Sequence, residues 1–138
     1  MSDVSDLHIA SLLGKTISPA GGSIVVAEWT ASPTPEREYQ APFHVHHEDD
    51  EIWYVLEGTL GFSFDGEEFQ IPAGGIAYAQ AGITHSYWNA SAGETRYLLI
   101  MSSRIHDLIS TLHDSGKRGD RSFAQVFEDH ASTLIQQQ

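Results

Sequence analysis

Along most of the chain, apolar and polar residues alternate with a period of two, which predicts β-strands. The clearest example is a hairpin: Leu60, Phe62 and Phe64 alternate with smaller or polar residues, and Asp65 and Gly66 then supply the positive φ angles of a tight turn. Strands separated by turn residues are predicted at 24–29, 52–56, 59–64, 67–71, 76–80, 85–89 and 95–101. Short strands at this even spacing indicate a sandwich or a barrel.

The period changes after residue 102. Ile105, Leu108, Ile109 and Leu112 follow helical spacing, with Ser102 or Ser103 as the N-cap and Gly116 near the stop. A second helical pattern runs from Phe123 to Ile135, with Asp120 or Ser122 as its cap. We expect these helices to cover the outside of the barrel or one of its mouths.

Composition indicates one compact domain. The chain has 138 residues, of which 41% are hydrophobic, and it has no cysteine. It can therefore bury a core without disulfides, and a thiolate metal site is excluded. The N-terminus lacks the pattern of a secretory signal, and no run of apolar residues is long enough to span a membrane. We expect a cytoplasmic protein.

The formal net charge of −12 argues against two classes of partner, because nucleic acid and anionic membranes would both be repelled. No nucleic acid and no membrane are expected as partners. Most of the acidity is expected to serve solubility. The acidic run from Glu48 to Asp50 is expected to be a solvated loop tip or to attract cations to a nearby site.

Four residues form a candidate metal site: His44, His46, Glu51 and, downstream, His85. Two histidines two residues apart on a strand face the same side with Cα atoms about 7 Å apart. A chain of this composition would contain, by chance, an HxH pair with Glu and Gly at the offsets of Glu51 and Gly58 only about 0.003 times. Imidazole nitrogen and carboxylate oxygen suit one divalent transition metal ion, whether Fe, Mn, Ni, Co, Cu or Zn.

The spacing of these residues predicts a bend in the chain, because only residues an even number of positions apart on a strand face the same side. Glu51 lies five residues after His46, so residues 47–50 must bend if both side chains are to face the metal. His47 then points away from it. Residues that would share the inward face are predicted to line an apolar substrate pocket: Trp53, Phe62, Tyr78, Tyr87 and Met101, with Phe64 and Tyr97 as further candidates.

These residues resemble the two motifs of the cupin superfamily, over residues 21–101. The first motif is matched by the HxH pair, Glu51 and Gly58, and the second by Gly74, Gly82, His85 and Asn89. Glu38 stands where the family has Gly, and Gln80 where it has Pro. The amino-acid sequence within and around the motifs is most similar to that of the quercetin-dioxygenase-like branch of single-domain cupins.

The resemblance implies an all-β fold, the double-stranded β-helix or cupin jelly-roll barrel, with C-terminal α-helices. Residues 1–102 would form the barrel with an N-terminal arm, and residues 103–138 a helical segment packed on it. The resemblance also implies a homodimer.

Three neutral histidines and one carboxylate would leave open positions on a divalent ion for a substrate oxygen and for dioxygen or water. The resemblance implies a dioxygenase acting on a small enolisable or aromatic substrate, such as a diketone, flavonol or polyketide, with Glu51 as catalytic base and metal ligand. Two alternatives stay open: a non-redox metal-dependent cyclase or isomerase, and a cupin that binds a small molecule without turnover.

Overall fold

The structure, a computed structural model, describes residues 14–135, which form two five-stranded antiparallel sheets. The strands are β1 (Thr16–Ile17), β2 (Ile24–Ala31), β3 (His44–His46), β4 (Glu51–Glu57), β5 (Thr59–Phe64), β6 (Glu67–Pro72), β7 (Ile76–Ala79), β8 (His85–Asn89), β9 (Thr95–Ser102) and β10 (Ser132–Leu134). The first sheet has the order β1-β2-β9-β4-β7 and the second β10-β3-β8-β5-β6.

The predicted alternation places the core between the two sheets. Every second residue of β9 is buried, and the same alternation runs through most of β4. Trp53, Val55 and Leu99 from the first sheet meet Leu60 and Phe62 from the second, each at most 1% exposed. This arrangement is a double-stranded β-helix, so the predicted fold class is confirmed.

Two turns show why the sequence closes the barrel as it does. Asp65 and Gly66 have φ angles of 50° and 88° and connect Phe64 to Glu67, which confirms the predicted hairpin. Gly58, between β4 and β5, has a φ of 86°. A Cβ atom there would lie 2.3 Å from Thr95 Oγ1, so only glycine fits this position of the first motif.

Three helices follow the barrel: α1 (Ser103–Leu112), α2 (Ser115–Arg118) and α3 (Phe123–Asp129). Ser102 caps α1 by accepting a hydrogen bond from the Ile105 N–H, and Ser122 caps α3 through the Gln125 N–H. Helix α1 ends at Leu112, four residues before Gly116, which was predicted to lie near its stop. His113 is the C-cap of α1, and Gly116 lies inside the short α2.

The second helix was predicted to continue to Ile135, and this was wrong. It ends at Asp129, and Ala131 adopts a φ of 55° that turns the chain back. Ser132–Leu134 then form β10, which pairs with β3 so that Ser132 lies opposite His46. The chain downstream of the barrel therefore returns a strand to the sheet that carries three of the four candidate metal ligands.

Most of the expected N-terminal arm, including His8, and the three terminal glutamines lie outside the described residues. Within residues 14–135, no helix is long and apolar enough to cross a membrane.

Candidate metal centre

The fold brings the four predicted ligands together. His44 and His46 lie on β3, Glu51 begins β4, and His85 begins β8 directly opposite His44. One nitrogen or carboxylate oxygen from each of the four lies within 4.8 Å of all the others. All four side chains are buried, so water competes little for their ligand atoms.

Residues 47–50 make the predicted bend and carry the chain from the second sheet to the first. Asp50 anchors the bend by accepting hydrogen bonds from the Ala81 N–H at 2.8 Å and from the Tyr78 hydroxyl. The Asp49 carboxylate lies 3.3 Å from the Arg104 guanidinium. The acidic run therefore holds the bend that returns Glu51 to the interior.

Hydrogen bonds to the backbone fix the orientation of two histidines. His44 Nδ1 lies 2.6 Å from the Pro42 carbonyl oxygen, and His85 Nδ1 lies 2.9 Å from that of Ile83. Because a carbonyl oxygen only accepts, each Nδ1 must carry the proton. In the neutral ring, the lone pair is then on Nε2, which faces the centre of the cluster.

The Ser132 side chain fixes the orientation of the third histidine, His46. The Ser132 hydroxyl donates to the His130 carbonyl oxygen at 3.1 Å, and His46 Nδ1 lies 2.7 Å from Ser132 Oγ. With its single proton already donated, the hydroxyl accepts from His46 Nδ1–H. Sequence reasoning missed Ser132, because its segment was predicted as helix and the one-residue reversal at Ala131 gave no recognisable signal.

The electrostatics of the cluster fit a divalent cation. Burial, with neighbouring His85 and His46, lowers the pKa of His44 to about 3, so His44 is a neutral ligand. Burial raises the pKa of Glu51, but contacts with His46 and His85 lower it further, so the carboxyl remains ionised. Burial lowers the pKa of His85, but the hydrogen bond and the charge of Glu51, together with the Ile83 carbonyl and Asp65, raise it above its usual value, so a metal would displace a proton there.

Among the described residues, one nitrogen of the cluster has no hydrogen-bond partner, as a metal ligand without its metal would. His46 Nε2 is buried and, within the described chain, forms no hydrogen bond. Glu51 Oε1 lies 3.2 Å from this nitrogen, but the angle between the two groups is unsuitable for a hydrogen bond. A buried polar atom without a partner is costly, and a metal ion coordinated by three Nε2 atoms and Glu51 would satisfy it.

A cavity of about 510 Å³ opens beside the cluster. Its walls come from the barrel and from the C-terminal helices. The barrel contributes Trp29, Trp53, Tyr87, Tyr97 and Leu99. The helical segment contributes Ile105, Leu108, Ile109, Leu112, Phe123 and Phe127. The helices thus cover one mouth of the barrel and form an apolar wall of the cavity.

The predicted pocket residues divide into three groups. Trp53 and Tyr87 line the cavity. Phe62 and Met101 are 0% and 2% exposed and belong to the barrel core, outside the cavity lining. Tyr78 is 50% exposed and faces outward, because the inward positions of β7 are its two neighbouring alanines. The pocket prediction is therefore corrected for Phe62 and Met101, which pack in the core, and for Tyr78, which is exposed.

The remaining candidates are also placed. Tyr97 lines the cavity, whereas Phe64 packs against the core. His47 is exposed and bonds to Thr133 rather than joining the cluster. Trp29, Leu99 and the helical wall were missed. Leu99 shares the inward face of β9 with Tyr97 and Met101, so strand parity could have found it. Parity within single strands does not show which helix residues face a barrel mouth.

A buried pair of hydroxyl groups lies among the apolar walls. Tyr87 and Tyr97 are hydrogen-bonded through their hydroxyls at 2.8 Å. Burial raises the pKa of Tyr87 well above its usual value and that of Tyr97 to about 12, so both stay neutral. Since one of their two protons forms the mutual bond, the other is free to be donated.

Comparison with known proteins points to one family. Residues 34–101 match the family model described as Cupin domain. A stretch of 54 residues is 35% identical to the HTH-type transcriptional regulator PuuR of Escherichia coli strain K12, covering 39% of this chain and 29% of the regulator. The chain thus matches less than a third of the length of this curated relative.

Solved structures share the fold at low sequence identity. A cupin protein from Bacteroides fragilis has a TM-score of 0.54 and 20% identity over 61% of this chain and 69% of that one. A putative sugar phosphate isomerase from Acidithiobacillus ferrooxidans has a TM-score of 0.53 and 20% identity over 59% of this chain and 51% of that one. Salicylate 1,2-dioxygenase from Pseudoaminobacter salicylatoxidans has a TM-score of 0.52 and 16% identity over 64% of this chain and 25% of that one. The family match and the shared fold together support the assignment of this chain to the cupin superfamily.

Proposed function

We propose that this protein is a metal-dependent, dioxygenase-type oxidoreductase that acts on a small substrate bearing an enol or phenol oxygen. The observation that carries the proposal is the buried cluster of three Nε2 atoms and the Glu51 carboxylate at an apolar cavity. The fold alone does not choose the reaction, because both a dioxygenase and an isomerase share it.

The bound ion would supply Lewis acidity toward a substrate oxygen and, if redox active, a position for dioxygen. Glu51 is the only carboxylate among the described residues that line the cavity, so it is the group that accepts the substrate proton. Its lowered pKa makes it a weak base. A weak base suits an acidic hydroxyl, such as an enol or phenol, better than an aliphatic alcohol.

The cavity walls hold and orient the substrate. Trp29, Trp53 and the apolar side chains of α1 and α3 exclude water and present flat surfaces to a planar molecule. The free proton of the Tyr87–Tyr97 pair is positioned to donate to a second substrate oxygen. The neutral donor adds orientation without adding charge.

Oxygen uptake tests the proposal. Protein reconstituted separately with Fe²⁺, Mn²⁺, Ni²⁺, Co²⁺, Cu²⁺ or Zn²⁺ is incubated with a panel of aromatic diols and diketones while dioxygen and substrate are followed together. We expect dioxygen and substrate to disappear in equal amounts with at least one redox-active metal, and this uptake to be lost in Glu51→Gln. Substrate loss with Zn²⁺ and no oxygen uptake would instead indicate a cyclase or isomerase. Binding without turnover for every metal would indicate a binding protein.

We also propose that the protein is a homodimer, formed through the outer face of the first sheet. Ile24, Ile76 and Tyr78 on this face are 63%, 57% and 50% exposed. Tyr54, which pairs with Ile76, and Ile52, which pairs with Tyr78, extend the same face. Exposed apolar side chains grouped on one face are typical of an interaction surface, and their burial between two copies would have to offset the repulsion between two chains of net charge −12.

A further inference from the structure

We infer that the substrate is uncharged and largely apolar apart from the oxygen that binds the metal; this rests on the proposed function. The inference comes from the charges around the cavity. Among the described residues, the lining contains no lysine and no arginine, and its only carboxylate is Glu51. Apart from the metal itself, a phosphate or a second carboxylate on the substrate would find no lysine or arginine of the described chain there.

The nearby cationic side chains are already engaged elsewhere. Arg104 pairs with Asp49, and Lys117 with Asp107 at 2.6 Å. Arg118 contacts two residues of the lining: it donates to the Leu112 carbonyl oxygen at 2.7 Å and lies over the Phe123 ring, 5.0 Å from its centroid. Reaching a substrate anion would require breaking these contacts, so Arg118 does not prepare an anion site.

The polar groups that do line the cavity are mostly neutral. Outside the metal cluster they are the side chains of Thr30 and Gln40, the Tyr87–Tyr97 hydroxyl pair, the indole N–H groups of Trp29 and Trp53, and His113 at the exposed end of α1. Hydroxyl and amide groups recognise carbonyl or hydroxyl oxygens well, but they do not neutralise a buried anion. The cavity therefore favours ketones, phenols and similar molecules.

The charge of the metal cluster agrees with this selection. Three neutral imidazoles and one carboxylate around a divalent ion leave a net charge of about +1. This charge matches a single enolate or phenolate oxygen. A phosphate dianion would exceed it, and the rest of the chain, with its net charge of −12, would oppose the approach of such an anion.

Calorimetric titration of the Zn²⁺-loaded protein with two matched probes tests the inference. 2-Naphthol and 2-naphthyl phosphate share one planar apolar body and differ in charge. We expect 2-naphthol to bind at least tenfold more tightly. Equal or tighter binding of 2-naphthyl phosphate would overturn the inference, and so would the absence of 2-naphthol binding at millimolar concentration.

A pair of variants locates the effect. Ile109→Lys adds a cation to the half-buried cavity wall, whereas Ser110→Lys adds one to the same helix outside the lining. We expect Ile109→Lys to reduce the preference for 2-naphthol at least fivefold and Ser110→Lys to leave it unchanged. Equal effects of the two variants would show that long-range charge sets the preference, which contradicts the cavity argument.

The outcomes separate this inference from the proposed function. Zn²⁺ supports no redox turnover, so the titration depends only on binding. A failure of oxygen uptake would overturn the dioxygenase assignment and leave the probe preference standing. A preference for 2-naphthyl phosphate would overturn the substrate class and leave the oxygen-uptake result standing.

Discussion

Removing the Ser132 hydroxyl is expected to weaken metal binding, although Ser132 does not contact the metal position. In Ser132→Ala, His46 Nδ1–H loses its acceptor at 2.7 Å. Ser132 is only 1% exposed, so water does not readily take the place of the hydroxyl. The ring is then free to tilt or to move its proton to Nε2, which removes the lone pair that the metal needs.

The size of the effect follows from the burial of this hydrogen bond. An unsatisfied buried donor costs about 1–3 kcal/mol. Loss of a partner behind a metal-bound histidine typically weakens metal affinity by about 10- to 100-fold. Such a change corresponds to about 1.4–2.8 kcal/mol, which agrees with the cost of the unsatisfied donor. We therefore expect a loss of at least tenfold.

The assay is competition between the protein and a chromophoric chelator for Zn²⁺ or Co²⁺. Thr133→Ala is the matched control, because it removes a hydroxyl from the next residue of the same strand. The Thr133 hydroxyl bonds to His47 and Glu128 on the exposed side, so its loss is expected to change the affinity less than threefold. Circular dichroism of both metal-free variants checks that they remain folded.

Imidazole ¹⁵N NMR separates a change of tautomer from general loosening. The wild-type His46 is expected to carry its proton on Nδ1, and the Ser132→Ala protein to show a mixture of tautomers. The reasoning would be refuted if Ser132→Ala bound the metal within threefold of wild type. It would also be refuted if Thr133→Ala weakened binding equally, since β10 would then act only as a structural strand.

Other substitutions test the ligands, the turn before His85 and the dimer. His85→Ala is expected to lose most bound metal in elemental analysis while far-UV circular dichroism is preserved; full occupancy would remove His85 from the ligand set. Glu51→Gln is expected to keep metal but lose turnover, whereas near-normal turnover would leave Glu51 as a ligand only. Gln80→Pro is expected to increase stability by about 0.4–1 kcal/mol, since Gln80 is exposed and its N–H donates no hydrogen bond within residues 14–135; loss of turnover with metal retained would contradict this. Tyr54→Asp is expected to be a monomer in light scattering, whereas the wild type is expected to be a dimer. If the variant remained a dimer like the wild type, the interface would lie elsewhere.

The sequence by itself determined most of the strands, the hairpin and the four residues of the candidate metal cluster. Strand alternation has a fixed period, so it shows which residues share a face without any knowledge of the partner strands. The same parity argument required the bend at residues 47–50, and the structure has it. Histidine and carboxylate spacing found the four clustered residues because few other side chains can serve as metal ligands.

Only the tertiary structure decided what surrounds that cluster. Ser132 acts on His46 from 86 positions along the chain, and its role depends on one left-handed residue, Ala131, that turns a helix into a strand. Tyr78 had the same alternation signal as the lining residues, but its strand places two alanines inward. The apolar wall from α1 and α3 depends on how the helices dock against the barrel. Local periodicity fixes which face of an element is apolar, whereas long-range packing decides what that face meets.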